Sequence, residues 1–94
     1  MPAELSPSSR VEFPDDVLCQ ELQGEAVLLN LKTGVYLGLD AVGNRVWQLL
    51  HEHRVLGKVV AAMLDEYDVT EDRCLQDLIA LVSQMEEHGL VRIA

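Results

Sequence analysis

Across residues 29–50, "LNLKTGVYLGLDAVGNRVWQLL", the spacing of apolar side chains changes from one period to another. Up to Leu39 they are packed as densely as in a strand, and from Asp40 onward Val42, Val46, Trp47 and Leu50 recur at helical spacing. Asp40 sits at the junction, where its carboxylate can accept from free backbone N–H groups as an N-cap. A chain with this junction places strands before it and helices after it. Just ahead of the junction, Lys32-Thr33-Gly34 forms a compact turn, with glycine available for positive φ, into Val35–Leu39, a short strand that is apolar on both faces. Something has to pair with its open edge.

Upstream, strands are expected at Val17–Leu22 and Glu25–Leu31, joined through Gln23-Gly24, so that three sequential strands with short loops form an antiparallel meander. Residues 1–10, rich in Pro and Ser, read as a flexible N-terminal tail, and Val11-Glu12-Phe13 as a short strand before the Pro14-Asp15-Asp16 turn. Downstream, the first helix runs to about His51. The second covers Leu56–Glu66, with Val59, Val60, Met63 and Leu64 on one face, and Tyr67-Asp68-Val69 breaks it. Thr70 caps a third helix, whose Glu71 and Asp72 suit the positive end of the helix dipole; it continues to His88 and stops at Gly89, a left-handed C′ position. Leu90–Ile93 is a short apolar tail able to pack on the core. The expected fold is therefore α+β: one domain over residues 11–94, a three-stranded antiparallel meander followed by three helices, winged helix-turn-helix-like. With 94 residues, such a domain buries only about two thirds of its unfolded surface.

Several functions are disfavoured by composition and spacing. No run of about 18 apolar residues is present, and the N-terminal decapeptide has no basic segment followed by an apolar one, so the expected location is the cytoplasm, with no membrane partner. Sixteen acidic against seven scattered basic residues give a net charge of −9, a field that repels phosphate backbones and anionic membranes. The third helix carries Glu71, Asp72, Asp77, Glu86 and Glu87 against Arg73, the wrong balance for groove binding, so nucleic acid is not an expected partner. A winged-helix DNA-binding regulator is the rival from another class, and a basic patch on the folded surface would revive it. His51 and His53 stand two apart, about 200° around a helix, and cannot grip one metal; solvated helix-end histidines are expected. Cys19 and Cys74 suggest small apolar residues rather than a disulfide framework. Cys74 and His88 lie too far apart along one helix to form a catalytic pair, and no phosphate-cradling glycine loop appears. Neither catalysis, nor a metal, nor a cofactor is expected.

Two features remain unexplained by a bare core. On the third helix, Leu81, Cys74, Met85, Leu78, Val82, Leu75 and Ile79 fill an arc of about 160°, wider than a minimal core stripe. Its margin at Leu81 and Cys74, beside Asp77 and His88, suits a peptide groove; alternatively the helix is simply sunk deeply, which the residues alone favour. The strand Val35–Leu39, an edge of the meander, carries no Lys, Pro or inward charge to block pairing. The N-terminal tail could conceal it, a second copy could pair with it, or an incoming strand could add there.

The run Gly24-Glu25-x-Val27-Leu28-Leu29-Asn30-Leu31-x-Thr33-Gly34-x-Tyr36-x-x-Leu39-Asp40-x-x-Gly43-x-x-x-Trp47-x-Leu49-Leu50 resembles the family of the pyrroloquinoline quinone synthesis protein D, as do Tyr67-Asp68-Val69, Asp77 and Gly89-Leu90-Val91. The resemblance spans roughly residues 15–93. It departs at Asp40, where the family more often has Asn. It implies a non-catalytic recognition element for ribosomally made, modified peptides. A leader peptide would add as a strand to the third strand, using the backbone of Val35, Tyr36, Leu37, Gly38 and Leu39. Its side chains would pack in a cleft lined by Cys74, Asp77, Leu78 and Leu81. The implied partners are a precursor (leader) peptide and a processing enzyme. A leader peptidase of lasso-peptide biosynthesis is favoured, and a radical S-adenosylmethionine enzyme is the alternative.

Overall fold

A computed structural model describes residues 5–94. The elements are β1 (Val11–Glu12), β2 (Val17–Leu22), β3 (Glu25–Asn30), β4 (Tyr36–Leu39), α1 (Ala41–His53), α2 (Leu56–Glu66), α3 (Glu71–Glu87) and β5 (Arg92–Ile93). The fold is α+β, a three-stranded antiparallel sheet followed by three helices. In the sheet, ordered β2–β3–β4, Val17 lies opposite Asn30, Leu22 opposite Glu25, Ala26 opposite Leu39 and Leu29 opposite Tyr36. The β2–β3 turn places Gln23 at φ 55° and Gly24 at φ 85°, the doubly left-handed geometry that matches the twist of a tight hairpin. Ala26, Leu28 and Leu39 point inward onto Val46, Trp47 and Leu50 of α1, and the same core takes in Val59 and Met63 of α2 and Leu78, Val82 and Met85 of α3.

The short strand expected at the N-terminus forms, but outside the meander. β1 pairs antiparallel with β5, Val11 opposite Ile93, so the two ends of the domain close on each other. Leu90 and Val91, just before β5, are fully buried.

Residues 1–4 of the expected tail lie outside the described residues, and the stretch from Pro7 to Arg10 is held rather than loose. Val55, the residue before α2, provides no side-chain cap. The orphan N–H groups of the helix are satisfied from the preceding arm: Leu56 donates to the Ser9 carbonyl (3.0 Å) and Gly57 to that of Pro7 (2.8 Å). Gly57 is needed for this approach, because a Cβ there would stand 3.0 Å from the Pro7 oxygen. The sequence reading missed the arm because its partner is another segment's unfilled backbone, which leaves no local pattern.

The end of α3 is tied to the β3–β4 turn. Gly89, at φ 71°, donates to the Glu86 carbonyl and Leu90 to that of Met85, the paired bonds of a Schellman motif. Asn30, buried, accepts at Oδ1 from the N–H groups of Lys32 (2.9 Å) and Thr33 (3.2 Å) while its Nδ2 donates to the Gly89 carbonyl (3.0 Å). One amide therefore fixes the turn leading into β4 and anchors it to the helix behind. Asn44 of α1, also buried, donates to the Gly24 carbonyl (3.0 Å) and holds the other hairpin in the same way.

His51 is exposed at the end of α1, as expected of a solvated helix-end histidine, but one face of its ring is covered. Its ring stacks on Phe13 with centroids 3.7 Å apart and meets Trp47 edge-on at 4.7 Å. Burial, aided by the nearby Arg54 charge, lowers the His51 pKa. A base whose folded pKa is depressed contributes stability that is whole above its unfolded value, about 6.5, and is lost as pH falls below it. Chemical denaturation of the wild type should therefore weaken from pH ~7 to ~5 more steeply than that of His51→Phe. Equal slopes would remove His51 from the account.

Candidate peptide-binding site

β4 is the outer strand of the sheet, and among the described residues nothing pairs with its far side. The strand starts at Tyr36, one residue later than the sequence suggests. Val35 belongs to the turn, and its carbonyl accepts from Asn30 N–H at 2.8 Å. That bond sets the phase of the ladder. Antiparallel pairs alternate between bonded and non-bonded, so Leu37 and Leu39 turn their main-chain groups toward β3. The N–H and C=O groups of Tyr36 and Gly38 are left facing the open edge. Of the five backbones proposed from the sequence, two are thus oriented to receive a strand along this edge.

Beside the edge opens a cleft of about 410 Å³. One wall is formed by Gly38, Leu39 and Asp40 with Val42, Gly43 and Val46 of α1. Cys74, Asp77, Leu78 and Leu81 of α3 form the facing wall, and Met63, Tyr67 and Val69 complete the lining. The junction residue Asp40 positions the first wall, since its Oδ1 accepts from Gly43 N–H (2.8 Å) and so fixes where α1 leaves the strand. Thr70 does the same for α3 by accepting from Arg73 N–H at 3.3 Å.

The four residues assigned to α3 all reach the cleft but are not equivalent. Leu78 and Cys74 are core residues, 4% and 8% exposed, whose edges reach the cavity. Leu81 is half-buried and Asp77 exposed, with Asp77 3.3 Å from the guanidinium of Arg73 one turn earlier. Burial, with the Asp77 carboxylate second, raises the Cys74 thiol pKa, so the group stays protonated and behaves as an apolar wall. His88 is the C-cap of α3 and takes no part in the lining. Cys19, read with Cys74 as a small apolar residue, is free and exposed on β2, whereas Cys74 is buried. The sequence reading also missed Val42 and Val69, 46% and 44% exposed. Val42 had been absorbed into the helical stripe of α1, whereas an apolar residue in the loop before Thr70 was the available signal for Val69.

Among the described residues no group of three or more His, Cys, Asp or Glu side chains is placed to hold a metal, and no helix is long and apolar enough to cross a membrane. An exposed strand edge running beside an apolar cleft defines a small domain of the strand-accepting kind, in which main-chain bonds and side-chain pockets act together.

The chain belongs to the family of coenzyme PQQ synthesis protein D, whose model matches residues 25–91. Members of this family are non-catalytic binding domains. Among solved structures, TbiB1 in complex with the TbiA(beta) leader peptide is 36% identical, over 86% of this chain and 94% of that one, with a TM-score of 0.80. A lasso peptide synthetase B1 complexed with its leader peptide is 22% identical, over 88% of this chain and 98% of that one, with a TM-score of 0.78, and at that identity speaks for the fold alone. No curated protein matches the sequence.

Proposed function

We propose that this protein captures the leader of a ribosomally synthesised precursor peptide and delivers it, in the cytoplasm, to a processing enzyme, a lasso-peptide leader peptidase in the favoured reading. The observation that carries the proposal is the continuity of the β4 edge with the cleft. A segment added beside Tyr36 and Gly38 lies along the cleft mouth, so alternate side chains descend between α1 and α3. Fully burying one large apolar leader residue there contributes about 1.5–3 kcal/mol. The leader-bound state of TbiB1, 36% identical, supports the same reading. The protein then acts by proximity, raising the effective concentration of the precursor beside the enzyme.

Titration with leader peptides from precursors encoded beside this chain, read by backbone amide shifts, is the test. Saturable shifts confined to Tyr36–Leu39 and α3 are expected. No response to any such leader would overturn the proposal.

The edge itself is tested by Gly38→Pro. At an edge strand with its N–H turned outward, proline costs no ladder bond, and a Cβ at Gly38 meets nothing within 4 Å. The variant should keep its sheet by circular dichroism and bind leader at least ~10-fold more weakly, the equivalent of about 1.4 kcal/mol. Unchanged affinity would mean that the peptide does not use this edge.

A further inference from the structure

Glu66 stands where helix electrostatics would not place it. It is the last residue of α2, beside Asp65, and no basic side chain occupies that last turn, although the negative end of a helix dipole favours cations. Its partner lies on another helix. Arg45 of α1 donates from Nε to Oε1 at 2.7 Å and from Nη2 to Oε2 at 2.6 Å, a two-pronged pairing that fixes orientation as well as distance. Nη1 donates to Gln48 Oε1 at 3.0 Å, so the guanidinium is itself held on α1. Hydrogen bonding by Arg45 lowers the Glu66 pKa, which keeps the carboxylate charged. Among the described residues, the two bonds to Glu66 are the only hydrogen bonds joining α1 to α2.

The pair borders the cleft. Arg45 follows Val42 by one helical turn and adjoins Val46, both in the α1 wall, and Glu66 directly precedes the segment whose Tyr67 and Val69 complete the lining. That segment has few other ties. Tyr67 donates to the Met63 carbonyl (2.8 Å) of its own helix, Val69 to the Tyr67 carbonyl (3.1 Å), and Thr70 caps α3. None of these bonds reaches the α1 wall. Exposed ion pairs ordinarily contribute little to stability, so an acid kept at a disfavoured helix end calls for another role. We propose that Arg45 and Glu66 are positioning residues for the leader site: their pairing sets the spacing between the α1 wall and Tyr67–Val69, and with it the width of cleft offered to a leader side chain. The inference rests on the function proposed above. A wall held in place before binding spares the complex the cost of ordering it, so the pair favours leader binding although neither residue belongs to the lining.

The test exchanges the charges. Glu66→Arg and Arg45→Glu each break the pair but move the net charge in opposite directions, and the double variant restores the pair in reverse. Leader affinity is measured by anisotropy with leaders from precursors encoded beside this chain, stability by urea denaturation, and the amides of Tyr67–Val69 are followed without leader. Both single variants should bind leader about 5-fold more weakly, the reach of one exposed pair, and the double variant within about twofold of wild type. The amides should shift in each single variant and return in the double. Glu66→Arg should keep the wild-type urea midpoint, since it puts a cation at the favoured end of α2, so that its loss of binding is not a loss of fold. Affinity changes of opposite sign in the two single variants would assign the effect to long-range charge and overturn the inference. Single variants that bind as the wild type does, or a double variant no better than either, would overturn it too and leave the proposed function standing. A wild type that takes no leader would overturn both.

Discussion

Leu81→Glu is expected to give a folded protein that binds its leader about 10- to 100-fold more weakly. The factor follows from losing about 1.5–3 kcal/mol of apolar burial, at 1.4 kcal/mol per decade of affinity. Leu81 suits this test because it is half-buried and lines the cleft, so the new carboxylate can reach water in the free protein. In the complex it is enclosed, one helical turn from Asp77, and repelled by that like charge. Leu81→Met keeps the volume and should bind within a few-fold of wild type. Unchanged affinity in the Glu variant, measured by anisotropy on a labelled leader, would place the leader's side chains outside this cleft. Cys74→Arg looks equivalent from the sequence but is a poorer experiment. At 8% exposure Cys74 belongs to the core, and arginine there tests stability as much as binding.

Gly89→Ala should produce the largest loss of stability from a single methyl group, roughly 2–4 kcal/mol. Two independent costs add. An L-residue held at φ 71° costs about 1–2 kcal/mol. The new Cβ would also stand 2.5 Å from Nδ2 of Asn30, so the buried amide must move and give up bonds at a similar cost. For a domain of this size that is a large share of the total. The damage should also spread to the peptide edge, since Asn30 fixes the turn from which β4 starts. Urea denaturation gives the first quantity, and the amide shifts of Tyr36–Leu39 report the second. A loss below about 1 kcal/mol would mean that the motif relaxes freely and that Asn30 is no anchor.

Much of this architecture is legible in the residues because its determinants are local. The change of period at Asp40 sets the order of strands and helices, and the caps at Asp40, Thr70 and Gly89 use side chains or φ values that local sequence reveals. What was not legible depends on segments far apart in the chain. Asn30 reads as an ordinary strand residue until Gly89 is brought against it, and the ends meet as β1 and β5 although neither dipeptide has a pattern of its own. The ring contact of His51 was not legible either, because its stacking partner, Phe13, lies far off in the chain, just after β1.

The sequence by itself determined the fold class, the element boundaries to within a residue or two, and the family, because periodicity, capping and turn chemistry act over a few neighbouring positions. Tertiary structure alone decided what each surplus apolar residue is for. A helical projection gives α3 a wide arc but cannot say that its Leu81 margin faces β4 across a cleft, since that depends on where α1 and α2 place the helix. Likewise, which groups of β4 face outward follows from a single inter-strand bond, Asn30 to Val35, whose phase no composition or period encodes.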